Sequence, residues 1–141
     1  MELKERILGL DIGDKRIGVA VSDPFCLFAT GLCVITREND DKALLEIKKI
    51  CETYKVKKIV AGLPYNMDGS FGVQAKKTLK FANKLSQDYE IIYKDERLTS
   101  FEAEEILKKE KKKYTKNKGL VDVKAACLIL QIYLGEQNEK R

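Results

Sequence analysis

At 141 residues, with 44% hydrophobic and 35% charged side chains, the chain is long enough to bury one core and too apolar for a disordered segment. It has no histidine, which excludes a Ser-His-Asp triad, a Cys-His nucleophile pair and any histidine-ligated metal. The net charge of +5 favours acidic partners. Four cysteines (Cys26, Cys33, Cys51, Cys127) form no Cys-x-x-Cys pair and read as reduced thiols of a cytoplasmic protein. No apolar run is long enough for a signal peptide or a membrane span, so no membrane association is expected.

The pattern "LGLDIGDKRIGVAVSD" predicts paired strands over 7–12 and 16–22 around a Gly-Asp-Lys turn. Gly18, Ala20 and Ser22 share one face of the second strand, and such small side chains let another element approach closely. "CLFATGLCVIT" reads as a third strand over 26–36, bent near Gly31. Asn39 to Asp41 can cap a helix over 41–54, with Leu44, Ile47, Ile50, Cys51 and Tyr54 on its apolar stripe. "VKKIVAGLP" is a short buried strand over 56–64, and "YNMDGSFG" (65–72) a turn-rich loop. A helix over 73–86 turns Ala75, Leu79, Ala82 and Leu85 inward, and strand five covers 89–96. A helix over 99–112 and a last helix over 121–136 follow. A three-stranded meander followed by alternating helices and strands predicts an α/β domain over 1–141, a mixed sheet with helices on its faces.

Carboxylates stand at element ends: Asp11 on strand one, Asp95 and Glu96 on strand five, Asp122 at the start of the last helix. Each has an ordinary structural reading. Asp11 suits a turn, Asp122 an N-cap, and Glu96 a surface pair with Arg97 or Lys94. Asp122, however, shares a helical face with Ala126, Ile129 and Tyr133, which turns it toward the sheet. Small Ala125 and Ala126 would let that helix lie on the small-residue row of strand two. Gathered carboxylates repel one another unless a divalent cation keeps them ionised. Oxygen-only ligands suit Mg²⁺ or Mn²⁺, and two such ions can support phosphodiester cleavage without histidine.

Four stretches, "LDIGDKRIGVAVSD", "GLPYNMDGS", "DERLTS" and "VDVKAACLILQIYL", resemble the signatures of the YqgF family, the RuvC-like branch of the ribonuclease H-like superfamily. The resemblance covers nearly the whole chain in the same order. It implies a ribonuclease H-like fold with a five-stranded mixed sheet, and metal-dependent cleavage of nucleic acid. It points to Asp11, Glu96 and Asp122 as catalytic and metal-binding acids, holding Mg²⁺ or Mn²⁺ as two ions. Arg16 and Arg97 lie in the same motifs as contacts to nucleic acid. The implied substrate is pre-16S rRNA at its 5′ end, during small-subunit assembly, or alternatively branched DNA at a Holliday junction. The expected state is a monomer or a homodimer. The chain departs from the family after "MDGS", where Val73 and Gln74 replace a usual Pro-Arg; a phosphate contact made by that arginine would then be lacking here or supplied by Lys76 or Lys77.

Two other readings compete. An actin-like or sugar-kinase ATPase also uses an Asp-x-Gly hairpin, but needs two such domains, and no Walker-type Gly-Lys loop occurs. A non-catalytic RNA-binding module would use the same basic surface without cleavage. That surface includes "KKEKKKYTKNKG", with seven lysines between 108 and 118, among them Lys111, Lys112, Lys113, Lys116 and Lys118. The run suits a solvated helix end as well as a phosphate track leading to Asp122. Replacing Lys111, Lys112 and Lys113 together by Ala distinguishes the two. A phosphate track predicts weaker nucleic-acid binding and a log-log salt dependence flatter by roughly one unit per lost contact. A titration at several salt concentrations reads both, and an unchanged slope assigns the run to solvated surface.

Overall fold

Both arms of the opening hairpin form where their alternation predicts, β1 over Ile7–Ile12 and β2 over Arg16–Ser22. The computed structural model describes residues 2–66, 68–95 and 118–139. The remaining elements are β3 (Ala29–Thr36), α1 (Asp40–Tyr54), β4 (Lys58–Leu63), α2 (Val73–Asn83), β5 (Glu90–Asp95) and α3 (Lys118–Glu139). One sheet runs in the order β3-β2-β1-β4-β5, antiparallel through the meander and parallel from β1 through β4 to β5. This is the mixed sheet the element order predicted. The helix expected over 99–112 lies outside the described residues.

Strand alternation divides the apolar side chains between two layers. Leu8, Leu10, Ile17, Val19, Ile35, Ile59 and Ala61 face α1 and α2, which bring Ile47, Cys51, Phe81 and Ala82. Ile7, Ala20 and Val60 face α3, which brings Ala126, Ile129, Leu130, Tyr133 and Leu134. The predicted inward face of the last helix is therefore present. In α2 the buried face differs from the expected one. Thr78 and Phe81 are buried beside Ala75 and Ala82, while Leu79 is only half-buried. α2 also ends at Asn83, short of the expected 86, and one-turn hydrogen bonds carry the chain on to Tyr89.

The third strand begins at Ala29 rather than at residue 26, because Asp23 closes a local loop ahead of it. Asp23 Oδ1 accepts from the backbone N–H groups of Leu27 (2.7 Å) and Phe28 (2.8 Å), and Oδ2 from that of Phe25 (3.1 Å). Cys26 takes a left-handed conformation (φ 55°) within this loop. The bend expected near Gly31 is a bulge. Val19 pairs Cys33 and Ala20 pairs Gly31, so Leu32 is the extra residue. Leu32 and Cys33 consequently both pack toward α1 and α2.

α3 crosses β1, β2 and β3 at glycines. A Cβ on Gly18 would lie 2.0 Å from the Asp122 carbonyl oxygen, one on Gly9 2.7 Å from Leu130 Cβ, and one on Gly31 2.4 Å from Val123 Cγ1. The helix backbone thus rests directly on the β2 backbone at Gly18. All four cysteines are free thiols, with Cys26 and Cys51 buried. Burial pushes Cys51 up to about 11, so it is inert near neutral pH.

Two variants test this account. Gly18→Ala should cost about 3 kcal/mol, since the obstructing atoms are backbone; urea unfolding measures it. Asp23→Ala should cost about 1 kcal/mol at pH 7. Burial raises the Asp23 pKa, but the three N–H donors outweigh it and hold the carboxyl below its ordinary value. Its contribution is complete above the unfolded-state pKa and disappears as pH falls through the folded one. The gap between Asp23→Ala and the parent should therefore close below about pH 4 in thermal melts at graded pH.

Candidate nucleic-acid cleavage site

β1, β4 and β5 run parallel, so their C-terminal ends share one edge of the sheet. Asp11 lies at this edge, paired across the ladder with Gly18. Registered partners present their side-chain positions on the same face. At Gly18 that face is occupied by Asp122 of α3. Asp11 and Asp122 therefore flank Gly18 on the α3 side of the sheet, although they are far apart in sequence. Asp122 is in the second turn of α3, which excludes its reading as an N-cap. Asp11 in turn belongs to the β1 ladder rather than to the hairpin turn.

Arg16 opens β2, and its Nε donates to Asp122 Oδ2 at 2.8 Å. The sequence assigned Arg16 to nucleic acid; in this structure its guanidinium neutralises an acid of the proposed set. The pair is open to water, with the two side chains 35% and 22% exposed.

At β5, alternation sets the face of Asp95. Ile91 and Tyr93 face α1 and α2, whereas Ile92 faces α3. Lys94 follows Ile92 onto the α3 face, where its Nζ donates to Glu136 Oε2 at 2.6 Å. Asp95 has the parity of Tyr93 and so belongs to the face opposite Asp11. Glu96 follows it in sequence and lies, with Arg97, Lys111, Lys112, Lys113 and Lys116, outside the described residues; Lys118 is the first residue of α3. Among the described residues no cluster of three potential metal ligands occurs.

Two contacts around the hairpin turn were not anticipated. Arg37 donates from Nε to Asp40 Oδ1 (2.8 Å) and from a terminal nitrogen to the Gly13 carbonyl (2.9 Å), and stacks 4.4 Å from the Phe81 ring centroid. Its hydrogen bond holds the Asp40 carboxyl below the ordinary range. Arg37 thus ties the turn between β1 and β2 to both α1 and α2. The Arg-x-x-Asp spacing was visible in the sequence; the reach to Gly13 and Phe81 was not. Gln74, where the resemblance leads one to expect arginine, donates to Asp14 Oδ1 at 3.3 Å. That position now braces the same turn with a neutral amide, while Lys76 and Lys77 are exposed. In the loop after β4, Asn66 is bonded to Ser70 (2.8 Å), and Tyr65 and Phe71 meet edge to face at 5.5 Å. These side chains are engaged within the loop.

A meander-first mixed sheet, with one long helix laid across the meander and acids at the C-terminal edge, defines the ribonuclease H-like class. Solved structures of that shape agree. The chain superimposes on Thermus thermophilus RuvC in complex with a Holliday junction substrate with a TM-score of 0.56, at 11% identity over 95% of this chain and 96% of that one. It matches the fowlpox virus Holliday junction resolvase with a TM-score of 0.59, at 12% identity over 94% and 99%. The family model for RuvX, described as a Holliday junction resolvase, matches residues 5–136, and the chain belongs to that family. A Synechococcus elongatus relative, named as a candidate pre-16S rRNA nuclease, is 48% identical over 136 residues, 95% of this chain and 91% of its own. Relatives of the same name from Crocosphaera subtropica and Clostridium kluyveri are 50% and 47% identical, over 94% and 92% of this chain and 96% of each relative.

The Arg37 brace carries its own expectation. Arg37→Met keeps the contact with Phe81 but frees Gly13, and should cost about 1–2 kcal/mol in denaturant unfolding.

Proposed function

We propose that this chain is a divalent-metal-dependent endonuclease that acts on the 5′ end of pre-16S rRNA during assembly of the small ribosomal subunit, in the cytoplasm. The observation that carries the reading is the juxtaposition of Asp11 and Asp122 across Gly18, at the edge where the parallel strands end. The names carried by the 45–50% identical relatives support the substrate.

The donor set fits a hard cation. Both described acids offer oxygen only, and the guanidinium on Asp122 shows that this carboxylate accepts a positive charge here. Asp11, Asp122 and Glu96 would hold Mg²⁺ or Mn²⁺. When bound, two ions would supply an activated water and charge stabilisation at the leaving oxygen. The chain's own contribution is rigidity. Asp11 is held by its ladder partner Gly18, in a strand that β4 flanks as far as Leu10, and Asp122 by backbone contact with Gly18. Arg97 and the lysine run would contact phosphate without reading bases.

Junction resolution is the second reading, favoured by the family description and by the resolvase-like shape. A resolvase cuts two symmetry-related strands and needs a dimer on its substrate. Cleavage of a pre-16S leader RNA beside a four-way DNA junction, in one metal series, separates the readings. The expected outcome is leader cleavage in Mg²⁺ or Mn²⁺ that stops in excess EDTA. Undiminished cleavage in EDTA would falsify the metal mechanism, and cleavage of neither substrate would favour a binding module. Asp11→Asn should abolish cleavage while unfolding stability without metal stays within about 1 kcal/mol of the parent, because one charge leaves an acidic site. Wild-type cleavage by this variant would remove Asp11 from the set.

A further inference from the structure

The ion pair between Arg16 and Asp122 joins an expected nucleic-acid contact to an expected metal ligand, and while they are paired neither is free for that role. Arg16 Nε approaches Asp122 Oδ2 at 2.8 Å, the oxygen a cation would need. Arg16 makes this bond through Nε, which fixes the direction of its whole planar fork while the pair lasts. An ion pair this open to water is weak and easily exchanged. A divalent ion on Asp122 would also repel the guanidinium beside it. Arg16 is anchored at the first residue of β2, next to the turn braced by Arg37 and Gln74. Its backbone is therefore held while its long side chain can redirect.

We propose that Arg16 is a metal-exchanged phosphate ligand. Without a divalent cation its guanidinium stands in for the cation on Asp122; when the cation takes that carboxylate, the released fork binds a phosphate of the nucleic acid. Metal loading and substrate capture are then coupled through one side chain. This rests on the metal reading of Asp122 given above.

The test compares the parent with Arg16→Gln. Mn²⁺ affinity is measured without nucleic acid by the electron paramagnetic resonance of free Mn²⁺. Arg16→Gln should bind Mn²⁺ about tenfold more tightly, because the competitor is gone. Lys15→Gln removes an exposed neighbouring charge that touches neither Asp11 nor Asp122 among the described contacts, and should change the affinity far less. Binding of a fluorescein-labelled pre-16S leader RNA is then measured in Ca²⁺ and in EDTA. Arg16→Gln should lose about tenfold in Ca²⁺ and nothing in EDTA, where Arg16 is already occupied. Equal losses in both would overturn the exchange and leave Arg16 a fixed contact. Unchanged Mn²⁺ affinity in Arg16→Gln, or equal tightening in Lys15→Gln, would also overturn it while leaving the metal reading intact. No Mn²⁺ binding by any variant would overturn the metal reading and the exchange together. Thermal unfolding confirms that Arg16→Gln is folded. If it is not, Arg16→Lys, which keeps charge but loses the fork, should show a smaller RNA deficit, again confined to Ca²⁺.

Discussion

The contact of two backbones at Gly18 governs the arrangement of this molecule. A helix normally stands off a sheet by the length of two side chains. Here α3 reaches the strand itself, because no Cβ intervenes at Gly18, Gly9 or Gly31. The approach is closest at Asp122, and Gly18 is the ladder partner of Asp11. A steric vacancy in one strand thereby becomes a meeting place for two carboxylates from opposite parts of the chain. Any side chain at Gly18 would lift the helix and part the two acids, so packing and the proposed chemistry share one atom-sized requirement.

The same closeness creates an electrostatic demand. Two acids near one another favour a positive charge between or beside them. The chain meets that demand with Arg16, from the strand on which Asp122 rests. The turn before Arg16 is tied from both flanks, by Arg37 to α1 and α2 and by Gln74 to Asp14. The departure at Gln74 thus has a local explanation: the position serves the turn through a hydrogen bond that needs no charge.

Much of this was legible in the sequence because it rests on short periods. Alternation placed Asp11 within a strand, and helical spacing put Asp122 on the buried face with Ala126, Ile129 and Tyr133. The small residues Gly18 and Ala20 announced the close approach. What escaped depends on tertiary distance or on side-chain competition for backbone. The bond from Arg16 to Asp122 spans 106 residues, and no local pattern encodes it. Asp23 shortened the third strand by capturing N–H groups that the apolar run alone would have assigned to a ladder. In α2, Phe81 was buried beneath the Arg37 guanidinium, and the choice of Leu79 for the interior ignored that partner. The face of Asp95 needed only strand parity, once Ile92 and Lys94 were seen to face α3.

The division of the apolar side chains into two layers has a consequence for how the protein fluctuates. Among the described residues, the layer under α1 and α2 joins all five strands to two helices, whereas the layer under α3 rests on one helix. Proteins open in parts, and an element secured on one side only is a natural unit of partial opening. Detachment of α3 would leave the sheet and its other layer intact while carrying Asp122 away from Asp11. Backbone amides of α3 would then exchange with solvent hydrogen through a smaller opening free energy than those of β1. The lifetime of the assembled acidic edge is therefore governed by the docking equilibrium of one helix, and a ligand that bridges Asp11 and Asp122 would act as a clasp on that helix.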